Sequence, residues 1–234
     1  MILSTEEKER YDRHVRIPDF GVEKQLKLKS ARVLVIGAGG LGCPVIQYLV
    51  AAGIGKLTLV DGDVVSRSNL QRQILFTEAE IGQSKAEIAA RKMQQLNSAA
   101  NIKVYNQFLT DELAAQLLPE HDVVVGCTDN YNSRYCIDHY SKKFNIPFVH
   151  GAIREFEGQL SVFNYKGSGS YSDLFGLQPS EPASPLGVVG AMPGVIGSLM
   201  ALEVIKIVAD LGSVMSNKLL LYNALMNSFC QIDI

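Results

Sequence analysis

With 234 residues, a net charge of −2, a pI near 6.1, 47% apolar and 20% charged residues, the chain has the bulk of one globular domain, at most two. The slight acidity argues against a nucleic-acid-binding surface. The four cysteines (Cys43, Cys127, Cys136 and Cys230) show no Cys-x-x-Cys spacing, which speaks for reduced, buried thiols and against an all-cysteine metal clip. No basic, apolar leader occupies Met1–Arg10, so a cytoplasmic protein is expected. Val33–Val60 is broken by six glycines and Lys56, and Pro193–Leu211 carries Glu203, Lys206 and Asp210. Both therefore read as core rather than as membrane spans.

In chain order, Thr5–Arg16 predicts a charged helix opened at Ser4 or Thr5, with Glu7 as capping-box partner and Pro18 and Gly21 ending it. Val22–Leu28 is a second short helix. Val33–Ile36 has the apolar run of a buried parallel strand. The loop Gly37-Ala38-Gly39-Gly40-Leu41-Gly42 then leads into a helix over Leu41–Ala52, and Leu57–Val60 closes a right-handed β-α-β unit. Glu78–Leu96 predicts one long helix with Ile81, Ile88, Ala89, Met93 and Leu96 on its apolar face. Strands at Ile102–Tyr105, Asp122–Gly126 and Phe148–His150 alternate with helices at Asp111–Leu118 and Asn130–Phe144.

After His150 the pattern changes. Gly151–Tyr165 predicts a hairpin with Gly158 at its turn. Lys166–Met192, rich in Gly, Ser and Pro, is the one long irregular segment, of a kind that is functional or mobile. Pro193–Ala209 is a helix with Pro193 in its first turn, and Lys218–Tyr222 and Phe229–Ile232 are closing strands. The expected fold class is α/β: a Rossmann-like, doubly wound, mostly parallel sheet extended by antiparallel strands, as a single domain over 1–234. Residues 1–30 form a helical arm, 31–150 a nucleotide-binding half and 151–234 a second half.

Chemistry concentrates in the first half. Gly37, Gly39 and Gly42 supply the Gly-x-Gly-x-x-Gly spacing that lets phosphate oxygens reach backbone N–H groups at a helix N-terminus. Asp61 lies 19 positions beyond Gly42, where a carboxylate accepts ribose hydroxyls; a turn or cap aspartate is the alternative. Asp63 follows in the same turn. Ser68-Asn69-Leu70-Gln71-Arg72-Gln73 is polar and cationic, which suits a triphosphate better than the pyrophosphate of a dinucleotide, with Lys85 as a further point charge. Solvated surface cations are the alternative reading. Asp129, past the carboxyl end of the strand at Asp122–Gly126, is placed to hold Mg²⁺ or to cap the next helix.

These residues, with Arg10-Tyr11-Asp12-Arg13-His14, Ile74-Leu75, Gly82-Gln83-Ser84-Lys85, Cys127–Asn130 followed by Arg134, Gly158-Gln159 and Gly194–Lys206, run nearly end to end. Together they resemble the ThiF/MoeB/HesA adenylyltransferases, relatives of the ubiquitin-activating enzymes. The resemblance implies an ATP- and Mg²⁺-dependent homodimer that adenylates the C-terminal carboxylate of a small ubiquitin-like sulfur-carrier protein ending in Gly-Gly, in thiamine or molybdopterin biosynthesis. The acidity and the interrupted apolar segments put no nucleic acid and no membrane among the expected partners, and residues 151–234 are expected to be the carrier-binding and dimerisation half. By the same resemblance Arg13 (reaching across to the other subunit), Arg72, Lys85 and Asp129 are the catalytic set, with Asp129 holding the metal. Gly37, Gly39, Gly40, Gly42, Asp61, Asp63, Asn69, Gln73 and Asn130 are the nucleotide-binding set.

Two departures accompany the resemblance. Many members bind zinc through two Cys-x-x-Cys pairs; here Ser170 and Asp173 stand at the first pair, so no structural zinc is expected. Many also carry a cysteine four positions before a Gly-Val, where this chain has Ala183, so adenylation without a covalent sulfur step is expected. The segment 166–192 is expected to gate or guide the carrier's tail. Rival readings are a nicotinamide-dependent oxidoreductase using the same loop, an adenylating enzyme for a peptide or an RNA-linked carboxylate, and a non-catalytic scaffold.

Overall fold

The computed structural model describes residues 2–180 and 187–234, so Ala183 lies outside the described residues. Short helices α1 (Thr5–Arg10), α2 (Asp12–Val15) and α3 (Gly21–Ser30) precede β1 (Arg32–Ile36), α4 (Gly42–Ala52), β2 (Lys56–Val60), α5 (Lys85–Leu96), β3 (Asn101–Tyr105), α6 (Asp111–Leu117), β4 (Val123–Gly126), α7 (Tyr131–Phe144) and β5 (Phe148–Arg154). Then come β6 (Glu157–Phe163), α8 (Tyr171–Phe175), α9 (Ala191–Ala209), β7 (Lys218–Asn223) and β8 (Ser228–Asp233). One eight-stranded sheet runs in the order β3-β2-β1-β4-β5-β6-β7-β8, parallel as far as β5 and antiparallel beyond it. This is the expected doubly wound sheet with an antiparallel extension.

The alternation of side chains along each strand splits the core in two. Val33, Val35, Val123, Val125 and Val149 face one side with residues of α3, α4, α5 and α9. Leu34, Ile36, Val124 and Phe148 face the other with α6, α7 and α8. Helix α9 is long and apolar enough to cross a bilayer, yet Met192, Ile196, Met200 and Val204 are buried in the first of these layers. Gly197 lets it lie directly on α4, because a Cβ there would stand 2.5 Å from Pro44 Cγ and 2.7 Å from the Leu41 carbonyl oxygen.

Five local expectations are corrected. The helix expected over Thr5–Arg16 is two helices broken at Tyr11, and Gly21 opens α3 instead of ending α2. Tyr11 leaves the helical path because its ring packs into the fold, with its hydroxyl accepting from Asn97 at 3.0 Å. The helix expected from Glu78 starts at Lys85, capped by Ser84; Gly82, at φ +85°, breaks it after one 3₁₀ turn over Glu78–Glu80. Gly158 is not the hairpin turn. The chain turns at Glu155–Phe156, while Gly158 pairs with Ile153 and Tyr222, and a Cβ on it would stand 2.4 Å from Ile196. The cysteines are not all buried: Cys43 and Cys127 are, Cys136 is half-buried and Cys230 is exposed on the edge strand.

The segment 166–192 is not wholly irregular either, since it contains α8. Ser170 accepts from the Asp173 N–H and Asp173 from the Ser170 N–H, a capping box where the related zinc pair would begin. Buried Asp138 adds two acceptors, for the N–H groups of Tyr171 at 2.8 Å and Ser172 at 3.0 Å. Replacing Asp138 by alanine strands both donors, and chemical denaturation is expected to report a loss of about 2–4 kcal/mol. A loss under about 0.5 kcal/mol would show that α8 is held by other means.

Candidate active site

The carboxyl ends of β1, β2 and β4 meet around the glycine loop. Gly37 has φ +96°, and a Cβ on it would stand 2.6 Å from the Cys127 carbonyl oxygen; one on Gly42 would stand 2.1 Å from the Gly37 carbonyl oxygen. No side chain fits at either position, so the loop is folded flat against the chain leaving β4 and the start of α4. Helix α4 begins at Gly42 with its dipole directed at the loop. A second helix N-terminus arrives from the other half of the chain. Pro193, in the first turn of α9, lies against Gly40, where an added Cβ would meet its ring at 3.2 Å. Two helix N-termini therefore converge on the glycine loop.

Asp61 is tied into this loop. Its Oδ2 accepts from the Ala38 N–H at 2.6 Å and its Oδ1 from the Asp63 N–H at 2.8 Å, which leaves one lone-pair direction on each oxygen. Burial raises its pKa from the ordinary aspartate value in spite of those bonds. Asp63 is already engaged: its Oδ2 pairs with Lys85 Nζ at 2.9 Å, and its carbonyl accepts the Lys85 N–H at 3.0 Å. Lys85 itself is buried, its side chain 5% exposed. Both stand beside Asp61, but as a pair.

Segment 66–73 is docked on the start of α9. Gly190 lies where a Cβ would be 1.9 Å from the Gln71 carbonyl oxygen, and Arg72 Cγ stands 3.6 Å from the Cβ position of Gly40. Arg72 donates to the Ser68 carbonyl at 3.0 Å and is in ion-pair contact with no carboxylate of the described residues, so its charge is left over. Asn69 spends its Oδ1 on the Ser66 N–H. Gln73 is buried beside Gly39 with its Oε1 unpartnered. Asn130, not Asp129, caps α7, accepting from the Ser133 N–H at 2.8 Å. That leaves Asp129 exposed, with no hydrogen bond or ion pair among the described residues.

Arg13 is elsewhere. The α1–α2 arm packs on the far end of α4, where Tyr11 meets Gly53, and Arg10 donates to the Leu96 carbonyl. An 11-residue helix, about 16 Å long, separates that end from the glycine loop.

Two features were not legible beforehand. Phe108 is 67% exposed and lies over Gly62, next to Asp61, where it offers a free ring face; the only signal was an aromatic just past a strand end. The second is a group of buried polar atoms without partners: Gln73 Oε1, Thr128 Oγ1, Arg134 Nε and His150 Nδ1. Gln159 Nε2, which only donates, lies 3.3 Å from His150 Nε2, so the imidazole proton is on Nδ1.

Burial holds His150 well below the usual histidine range and lowers His121 as well. The folded chain thus refuses protons that the unfolded chain accepts. Stability is full above about pH 6.5 and falls as acid takes the pH through the window below it, by up to about 1.4 kcal/mol per unit for each group. Denaturation at pH 7, 6 and 5 is expected to show this slope, and H150F to remove one proton's share. An unchanged slope would mean that His150 is protonated in the fold. The thiols near the site are passive: burial pushes Cys43 up to about 11 and Cys127 higher still.

Comparison with known proteins matches residues 11–234 to a family described as ThiF family. The chain is 42% identical over 231 residues to a probable molybdopterin-synthase adenylyltransferase of Porphyra purpurea, covering 60% of that protein. It is 46% identical to the adenylyltransferase and sulfurtransferase MOCS3 of Bos taurus, covering 51% of it. It is 41% identical to a sulfur carrier protein adenylyltransferase of Thermus thermophilus, where it covers 90%. The chain thus spans 97% of itself but only about half to three fifths of the first two relatives. Among solved structures, E. coli MccB with MccA-N7isoASN superposes with a TM-score of 0.87 over 99% of this chain and 72% of that one, at 24% identity. E. coli MccB with ATP superposes with a TM-score of 0.82 over 96% of this chain and 71% of that one, at 24% identity. Both likenesses concern the fold.

Proposed function

The chain belongs to the ThiF family, and on that premise we propose that it uses ATP to adenylate the C-terminal carboxylate of a small ubiquitin-like sulfur carrier ending in Gly-Gly. The observation that carries the reading is the convergence of two helix N-termini, the Asp61-anchored glycine loop and the uncompensated Arg72 at one end of the sheet. That arrangement stabilises polyanionic phosphate without a protein nucleophile. Asp61 takes the ribose, Phe108 stacks the adenine, and the glycine loop with Arg72 and Asn69 holds the triphosphate. Lys85 joins them by exchanging part of its contact with Asp63 for a phosphate oxygen. One carrier oxygen bonds to the α-phosphorus, and the bond from that phosphorus to the bridging oxygen breaks, its electron pair leaving with pyrophosphate. The attacking carboxylate is already ionised at neutral pH, so positioning and charge neutralisation supply the rate.

A divalent cation fits Asp129, an exposed carboxylate beside the loop with no competing partner among the described residues. Mg²⁺ is held through one or two carboxylates and substrate phosphates, and when bound it would draw charge from the triphosphate. The protein's own share is to keep Asp129 free by giving the α7 cap to Asn130. A homodimer suits the outer surface: exposed Val22, Tyr48 and Leu202 sit on α3, α4 and α9, which pack together as one layer. A second copy seated there brings its own arm, with Arg13, toward the loop that this Arg13 does not reach. The test is carrier-dependent exchange of labelled pyrophosphate into ATP with recombinant carriers of the molybdopterin and thiamine types. Exchange with either supports the reading. Exchange with neither, or only with a short peptide such as the MccA type, overturns the carrier assignment.

A further inference from the structure

The group of unpartnered polar atoms has a definite place. Thr128 is two residues past β4, and Arg134 Nη2 donates to its carbonyl at 3.1 Å. His150 is the register partner of Gly126 at the end of the same strand pair. Arg134 lies over the Tyr131 ring at 5.5 Å; its charge bears on His150, and its side chain is also hydrogen-bonded to the Tyr171 hydroxyl, leaving Nε as the unpartnered donor. The Tyr171 ring is 4.9 Å from that of His150. Like Arg72, Arg134 is in ion-pair contact with no carboxylate of the described residues. An unmet buried donor costs about 1–3 kcal/mol, so Arg134 Nε and Thr128 Oγ1, on two residues already joined by a hydrogen bond, mark a place where polar ligand atoms belong.

The two arginines, neither with a carboxylate partner among the described residues, reach the end of β4 from opposite faces of the sheet. Arg72 comes with the glycine loop, α4 and α9; Arg134 comes on α7, from the layer that includes α6 and α8. In-line displacement at phosphorus needs the nucleophile and the leaving group on opposite sides. With the triphosphate on the Arg72 side, the opposite approach belongs to the attacking acid.

We propose that Arg134, with Thr128, receives the terminal carboxylate of the peptide substrate and holds it opposite the leaving pyrophosphate. The assignment rests on the adenylyltransferase reading and deepens it. A guanidinium whose Nε is unoccupied offers a charge-assisted, planar contact to a carboxylate that a carboxamide does not reproduce. Selection for a free C-terminal acid is then built into the site.

The test measures calorimetric binding of the Gly-Gly carrier that supports exchange, as the free acid and as its C-terminal carboxamide, with the ATP analogue AMPCPP present. The wild-type protein is expected to prefer the acid by about tenfold or more. Arg134→Gln is expected to lose that preference, Arg134→Lys to keep part of it, and Thr128→Val to weaken it. AMPCPP affinity should stay within about twofold in all three. Acid preference retained in both Arg134 variants overturns the proposal. AMPCPP affinity falling tenfold in them also overturns it, since Arg134 would then serve the triphosphate. If Arg134→Gln does not fold, Arg134→Lys and Thr128→Val decide the matter. Absence of exchange by the wild-type protein with every carrier is a different result, which strikes the adenylyltransferase reading itself.

Discussion

Asp129→Ala is expected to lower carrier-dependent pyrophosphate exchange by about a thousandfold, because a metal ion on a transferring phosphoryl group is worth several kcal/mol. The same variant should melt within about 2 °C of the wild-type protein. The reason is local. In a chain where Asp129 capped α7, its loss would remove a helix cap and confound the result. Here the Ser133 N–H bonds to Asn130 instead, and Asp129 stands exposed beside the glycine loop. The matching control is Asn130→Ala, which should cost about 1 kcal/mol of stability through the lost cap. Exchange that survives intact in the Asp129 variant would remove this carboxylate from metal binding.

Arg13→Ala should be nearly as damaging, by about a hundredfold or more if the guanidinium meets the triphosphate in the transition state. Its position makes the sharper test one of geography. Tyr11 anchors the arm at the Gly53 end of α4, whereas the glycine loop is at the other end. Mixing the Arg13 and Asp129 variants one to one distinguishes the cases. If Arg13 serves the neighbouring subunit, each mixed dimer holds one complete site, and about a quarter of the wild-type rate returns. If it serves its own subunit, no site in the mixture is complete, and the rate stays at the level of the single variants.

Much of this molecule is written locally. Val33–Ile36, Leu57–Val60 and Val123–Gly126 are apolar runs too short for helices and bounded by glycine or aspartate. Strands alternating with helical periods leave few options but a doubly wound sheet. The spacing of Gly37, Gly39 and Gly42 and the distance to Asp61 were equally plain, because they recur within one β-α-β unit, where Gly42 packs on Gly37 and Asp61 bonds to Ala38. The errors were local as well. By sequence Gly82 reads as the interior of a helix and Gly158 as a hairpin turn. One breaks a helix by its positive φ, and the other is a strand residue made small by a helix arriving from 38 residues away, Ile196 of α9.

The assembled site depends on such arrivals. Pro193 against Gly40, Gly190 against Gln71 and Phe108 against Gly62 each join elements whose meeting no local pattern encodes. The pairing of Lys85 with Asp63 belongs here too, since it turns two candidate ligand contacts into one buried ion pair. Periodicity and turn chemistry act over a few residues and were enough to dictate the strands, the glycine loop and the order of the sheet's first half. Which cations remain unpaired, which carboxylate is spared from capping, and which polar atoms are buried without partners are consequences of packing. Hydrogen-bond satisfaction is settled only when every element has its neighbours.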